Sequence, residues 1–417
     1  MRPEFHFTAA SGWINDPHGI TVRDGGYHSF FQYVPNSKVW APNCHWGHAK
    51  GADLFSLTEL PVAIAPGEGD DGIWTGSLVT DDAGGTRIFY TSTVQPDIGI
   101  GRVRVATPDA DDWISWSKGE VVAEAPEDLD IIAYRDPFVV REPDGWRMFL
   151  GAGLADGTAT ALSYRSTDLD AWTYEGIALQ RSTHEVDPVW MGALWECPQI
   201  IEVDGRHVMV SSVWDDDVLH YAGYAIGRYA DGIFTAEHWG RLTYGPSYYA
   251  PSFFRDAEGR PCLTFWMRGV QDAAAGWASA HSVPHVLTLD GDTLVAMPHP
   301  DLMKYRGAEA EHGGLAGLAG DVTWHSAGDD ELRISSGNRV AATLLVEGEA
   351  LTVSVGAESW NLPAAEGPSG DIRIILDGPV LEVSTTAGVF GTAIEPTGDH
   401  FLVESAAGRF EAHVLIR

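Results

Sequence analysis

Short runs in which apolar and polar residues alternate dominate the chain, and Gly-containing turns separate them. GITVRDGGYHSFFQY, GTRIFYTST, GWRMFLGAG and RHVMVSSVW are broken by DG, GG and PDG turns. A period of two marks half-buried strands, and the helical period is weak throughout. The predicted texture is β-strands joined by tight turns.

The runs recur in one layout. Five segments share it: NDPHGITVRDGGYHSFFQY from Asn15, TGSLVTDDAGGTRIFYT from Thr75, RDPFVVREPDGWRMFLG from Arg135, ECPQIIEVDGRHVMVSS from Glu196 and YAPSFFRDAEGRPCLTFW from Tyr249. Most open on a polar residue and a proline, run on as an apolar strand, turn at a glycine and return as a second strand. Aligning the openings makes Asp16, Gly76, Asp136, Glu196 and Ala250 equivalent, with three spacings of 60 residues and a last one of 54. About sixty residues with about four strands is one propeller blade with generous loops. Five openings predict a five-bladed β-propeller over residues 1–300. A ragged crossing follows, then evenly spaced runs such as ELRISS, ALTVSVG, DIRIILDG and FEAHVLIR. They predict a β-sandwich over residues 301–417, in an accessory role. The fold class is all-β.

This register has a chemical consequence. The innermost strand of each blade lines the propeller axis, so equivalent positions at its start converge at one mouth of the channel. Three of those positions are carboxylates: Asp16, Asp136 and Glu196. Taken singly, Asp16 in Asn-Asp-Pro is a turn former, Asp136 beside Arg135 is half of an ion pair, and Glu196 between Trp195 and Cys197 is a partly buried structural acid. Together, three acids are costly to bury without a use. Repulsion spreads their pKa values, so that one donates a proton near neutral pH while another stays ionised. Glycoside hydrolysis needs that division. The competing chemistry is a Ca²⁺ or Mg²⁺ site, but the chain has no EF-hand loop, and neither a metal nor a cofactor is expected.

The aromatic residues suit a sugar. Trp13, Trp40, Trp46, Trp74 and Trp195 lie near the openings. Indoles offer flat faces to sugar C–H groups, although some of the five must be core. Asn15 and Gln32 carry the paired donors and acceptors that read hydroxyls.

Composition narrows the partner. The chain has 417 residues and 44% hydrophobic content, enough for two or three domains with real cores. Its net charge of -33 repels phosphate backbones and anionic lipid, leaving a neutral small molecule as the fitting ligand. Cys44, Cys197 and Cys262 form neither a disulfide framework nor a CxxC zinc pair. Residues 1–12 hold no apolar signal region. A cytoplasmic protein is expected, though a removed signal peptide would leave the same chain.

At this point the motifs WINDPHG (13–19), FQY (31–33), HWGHA (45–49), WTGS (74–77), YRDP (134–137), WECP (195–198) and GWASAHSVP (276–284) occur in an order that resembles glycoside hydrolase family 32. That family comprises invertases, levanases and inulinases. The resemblance covers nearly the whole chain and implies a propeller followed by a sandwich. It implies that Asp16 is the nucleophile, Glu196 the acid/base and Asp136 the transition-state stabiliser. It also implies that Asn15, Gln32, Trp40, Trp74, Thr75 and Arg135 line a fructose pocket. The implied reaction releases terminal β-D-fructofuranosyl units from sucrose or fructo-oligosaccharides by double displacement, without a cofactor. The chain departs from the family at His18, where Asn is usual, and at His285, where Arg is common. The segment LTYGPSYYAP also lacks an acid often found there. The alternatives are a fructosyltransferase on the same scaffold, a family 43-type arabinosidase or xylosidase, and a non-catalytic sugar-binding propeller. The oligomeric state is left open.

Overall fold

The computed structural model describes residues 1–364 and 370–417. Alternation in the sequence becomes strands throughout. The described helical elements are two short 3-10 turns, Pro300–Tyr305 and Glu311–Gly313, and among the described residues no helix is long and apolar enough to cross a membrane.

The strands up to residue 298 form five blades of a β-propeller. Their inner strands are Gly12–Arg23, Gly72–Thr80, Ile131–Glu142, Leu194–Val203 and Tyr248–Arg255. Blades two, three and four are separate four-stranded antiparallel sheets. Blades one and five merge into a nine-stranded sheet. There Gly12 and Trp13 pair in parallel with Trp277 and Ala278, next to the last blade. This seam ties the start of the chain to the propeller, where a terminus would otherwise fray. Between blades the apolar faces interlock. Trp46, Ile73, Phe30 and Tyr90 share one cluster across blades one and two, and Phe149, Trp195 and Met209 share another across blades three and four.

The later strands form two stacked sheets. A seven-stranded sheet runs in the order 243–244, 388–393, 380–385, 372–377, 319–325, 409–415 and 306–309. A five-stranded sheet runs 358–363, 350–355, 339–347, 330–336 and 401–405. The period-two apolar residues of both, among them Val322, Trp324, Leu344, Val353, Ile374 and Val403, meet in one core. That inward alternation is what makes a sandwich. The sheet also extends beyond its own sequence. Thr243 and Tyr244, from the segment before the fifth inner strand, pair in parallel with Val389 and Phe390.

The structure corrects the sequence alignment at one point. Ladder irregularities interrupt all five inner strands near their starts, between Ile14 and Pro17, Trp74 and Gly76, Arg135 and Phe138, Glu196 and Gln199, and Tyr249 and Ser252. The residue in the left-handed region at these bulges is Asp136 (φ 66°), Cys197 (φ 50°) and Ala250 (φ 47°). Each precedes a proline. The bulge therefore aligns Cys197, not Glu196, with Asp136. Glu196 stands one place earlier, level with Arg135 and Tyr249. The even sixty-residue spacing hid a shift of one residue, and in a strand one residue decides which way a side chain points.

Candidate active site

The bulges aim the starts of the inner strands at one recess. A non-glycine residue in the left-handed region costs of order 1–3 kcal/mol, and three such residues surround this spot. Asp136 is held there by its own N–H, which donates to Thr91 Oγ1 at 2.8 Å, while that hydroxyl donates to the Thr75 carbonyl at 2.9 Å. The Cys197 N–H donates to Asp136 Oδ2 at 3.0 Å. Glu196 is placed by a close approach of two blades. At Gly151 a Cβ would lie 2.1 Å from the Trp195 carbonyl oxygen, so only glycine lets blade three sit against it.

Asp16 sits among donors. Asn15 Nδ2 donates to its Oδ1 at 3.1 Å, and its Oδ2 accepts from Thr75 Oγ1 at 2.6 Å and Gln32 Nε2 at 3.2 Å. Gln32 also donates to the Thr75 hydroxyl, and the Asn15 carbonyl accepts from His281 Nε2 at 2.8 Å. Cys197 joins the acids: its Sγ lies 3.9 Å from Asp16 Oδ2 and 3.6 Å from Asp136 Oδ2. Glu196 is gripped on both oxygens. Arg135 Nε and Nη2 reach its Oε1 at 3.0 Å, and the Tyr249 hydroxyl donates to its Oε2 at 2.6 Å.

Most of the residues read from the sequence come together here, and two of the five tryptophans do not. Asn15, Gln32, Thr75 and Arg135 are buried against the acids. Trp74 carries its ring 6.0 Å from the Arg135 guanidinium and donates its indole N–H to the Pro42 carbonyl at 2.8 Å. Trp40 stands exposed on the rim, edge-on to Trp74 at 5.7 Å. Trp46 and Trp195 are fully buried core residues with satisfied indoles. Sequence reasoning missed Tyr249, Thr91 and Cys197 as site residues. It also missed Trp266, which packs edge-on to Trp13 at 5.6 Å; neither indole N–H has a partner among the described residues. The one available signal was Tyr249 itself, which occupies the Glu196 register in the fifth opening.

The recess shifts its own titrations. Burial pushes Asp16 up to about 6; the Thr75 hydroxyl pulls it down, the Glu196 charge adds to the rise, and the Asn15 amide opposes it. Burial, then the charge of Glu196, push the Asp136 carboxyl well above the ordinary carboxylate range; Arg135 opposes this and Asp16 adds to it. Burial also lifts the Cys197 thiol far out of reach, helped by all three acids, so it stays neutral.

The two histidines that depart from the family pattern make no hydrogen bond to the three acids, whereas the LTYGPSYYAP segment supplies Tyr249 to the site. His18 is buried and stacked on Trp46 at 3.8 Å, and burial holds it neutral. His285 is buried beside Phe265 and Tyr248. Among the described residues, a cluster of Asp256, Cys262 and His299 has metal-like spacing. Its Asp256 carboxylate is already occupied by Arg260 at 2.5 Å and His299 at 3.0 Å.

A five-bladed propeller with three acids at the mouth of its axis is an architecture of carbohydrate-processing families. Residues 6–298 match the family model described as the glycosyl hydrolases family 32 N-terminal domain, and the chain belongs to that family. It is 32% identical over 331 residues to a sucrose-6-phosphate hydrolase of Zymomonas mobilis, which covers 74% of this chain and 64% of the relative. It is 30% identical over 346 residues to a cell wall beta-fructofuranosidase isozyme of Zea mays, covering 74% of this chain and 57% of the relative. The chain thus spans less than two thirds of the length of these relatives. Among solved structures, a GH32 beta-fructofuranosidase of Bombyx mori superposes with a TM-score of 0.86 at 25% identity, over 100% of this chain and 94% of that one. Fructan 1-exohydrolase IIa of Cichorium intybus shares the fold, with a TM-score of 0.85 at 20% identity over 100% of this chain and 97% of that one.

Proposed function

We propose that the protein is a retaining fructosidase that releases terminal β-D-fructofuranosyl units from sucrose or short fructo-oligosaccharides. The observation that carries this reading is the convergence of Asp16, Asp136 and Glu196 in one recess, each with a different set of partners. Asp16 accepts three hydrogen bonds and presents a carboxylate to the anomeric carbon. Glu196, fixed by Arg135 and Tyr249, protonates the leaving oxygen and then takes a proton from the incoming water. Asp136 does not react; it holds ring hydroxyls and stabilises the positive charge that develops on the ring. Asn15, Gln32 and Thr75 bind the fructosyl unit beside Asp16, and Trp40 and Trp74 wall its open side. In this reading residues 1–300 form the catalytic unit and residues 301–417 an accessory one.

The names of the relatives support a fructoside as substrate, and the donor set around Asp16 supports the nucleophile. Product analysis tests the reaction. Free fructose from sucrose, kestose, inulin or levan, with glucose from sucrose, is the expected result. New oligosaccharides as the main product would reassign the protein to transfer, and no release from any of the four would refute the reading.

A further inference from the structure

The mouth of the recess has a charge of its own. Antiparallel pairing fixes which loops flank it. Gly72 pairs with Thr93, Gly153 with Ala133 and Leu194 with Trp214. The loops after Thr93, Leu154 and Asp215 therefore lie at the end where the inner strands begin. The segments leading into those strands lie at the same end. Exposed acids populate them: Asp97, Asp128, Asp130, Asp187, Asp216 and Asp217. None of the six has an ion-pair partner among the described residues.

The cations at this end are fewer than the acids, and they donate to Glu196 or to backbone carbonyls. Arg135 is spent on Glu196, with its remaining nitrogen toward the Gly99 carbonyl. The Arg268 guanidinium lies 4.9 Å from the Tyr249 ring, yet it points its nitrogens at carbonyls: Leu219 at 2.6 Å, His220 at 3.3 Å, and Ser247 and Tyr248 at 3.4 Å. Lys38, on the rim loop with Trp40, donates to the Ala273 carbonyl at 3.0 Å.

A phosphorylated sugar entering here would meet more unpaired carboxylates than cations: against the six acids stand Lys38, Arg181, Arg241 and Arg268, which pair with no acid among the described residues and donate to backbone carbonyls. A phosphate recognised by a protein needs the opposite arrangement, charge-assisted donors aimed at its oxygens. We infer that this site selects neutral fructosides and discriminates against fructosides that carry a phosphate on the leaving sugar, in contrast to the activity for which its Zymomonas mobilis relative is named. The inference rests on the fructosidase reading above and adds the charge class of the substrate. Acids on exposed loops act over a distance, so salt should weaken the discrimination. The Debye length falls from about 30 Å at 0.01 M to about 10 Å at 0.1 M.

The test is kcat/KM for sucrose and for sucrose-6-phosphate at both ionic strengths, in the wild type and in the double variant Asp216→Asn, Asp217→Asn. Sucrose should be preferred at least tenfold at low salt. The preference should narrow severalfold at high salt, through a rise for the phosphorylated sugar alone. The double variant should raise kcat/KM for sucrose-6-phosphate severalfold and leave sucrose unchanged. Sucrose-6-phosphate cleaved as well as sucrose at low salt would overturn the inference and leave the fructosidase reading standing. A preference that neither salt nor the variant moves would also overturn it, because the cause would then be shape rather than charge. Turnover of neither sugar would overturn both.

Discussion

Replacing Asp16 by Asn should make the protein more stable above neutral pH while removing its activity. The carboxyl is raised from 3.8 to about 6 in the folded chain, with burial as the main cause. The sign follows from linkage. A raised group favours folding in its protonated form. Its stabilising contribution is complete below about pH 4 and is lost as the pH rises through about 6. At about 1.4 kcal/mol per unit, a rise of about two units corresponds to about 3 kcal/mol lost above pH 7. Asp16 is only partly shielded from solvent, so screening reduces this to about 1–2 kcal/mol. An Asn side chain carries no charge to bury. It gives up one acceptor facing Thr75 and Gln32, which costs about 1 kcal/mol at every pH. That constant offset drops out of the trend. Urea unfolding of both proteins from pH 4 to pH 8 should show the variant gaining about 1–2 kcal/mol on the wild type across the interval, mostly between pH 4.5 and 6.5. A difference that stays flat, or that falls as pH rises, would refute the claim that burial of the charge dominates at this residue.

Other outcomes follow from the same geometry. Thr75→Val removes the 2.6 Å hydrogen bond to Asp16; losing a donor to the ionised form raises the Asp16 pKa further, so the acid limb of the kcat/KM profile should move up by about one pH unit. Tyr249→Phe removes the 2.6 Å donor to Glu196 and should lower kcat by about tenfold to a hundredfold with KM nearly held; an unchanged kcat would remove Tyr249 from the site. His6 is fully buried, with Nδ1 2.7 Å from Asp377 and Nε2 3.3 Å from Glu382. Burial alone would lower its pKa, but the two acids raise it to about 9. A raised histidine stabilises below about pH 6.5 and loses that contribution as pH rises through about 9. Thermal melts of His6→Gln should therefore show a loss of about 3–5 kcal/mol at pH 6 that shrinks toward pH 9.5.

Much of this molecule was legible in its sequence, and the illegible parts have physical causes. The blades were readable because each repeats an opening, a strand, a turn and a strand, and stacked repeats need the same apolar positions. The identity of the three acids was readable for the same reason. Their equivalence was not. The inner strands that open on a proline all bulge just before it, and Pro137 and Pro198 lie 61 residues apart, so counting by sixty put Glu196 where Cys197 stands. Tyr249 was hidden because Tyr-Ala-Pro in a strand looks like core. Only the neighbouring blade reveals that its hydroxyl meets Glu196. Trp46 and Trp195 show the converse, since motif position could not tell an indole beside the recess from one that fills the gap between blades. The pairing of Thr243 with Val389 was beyond reach, because two residues contributing to a sheet nearly 150 positions away leave no periodic trace.

The central claim is double displacement through Asp16, and the anomeric configuration of a trapped product tests it most directly. Sucrose cleaved in the presence of methanol passes its fructosyl unit to an acceptor whose product cannot change anomer afterwards. Two displacements at the same carbon predict methyl β-D-fructofuranoside as the product seen by NMR. Methyl α-D-fructofuranoside would mean a single displacement, and would contradict the role assigned to Asp16.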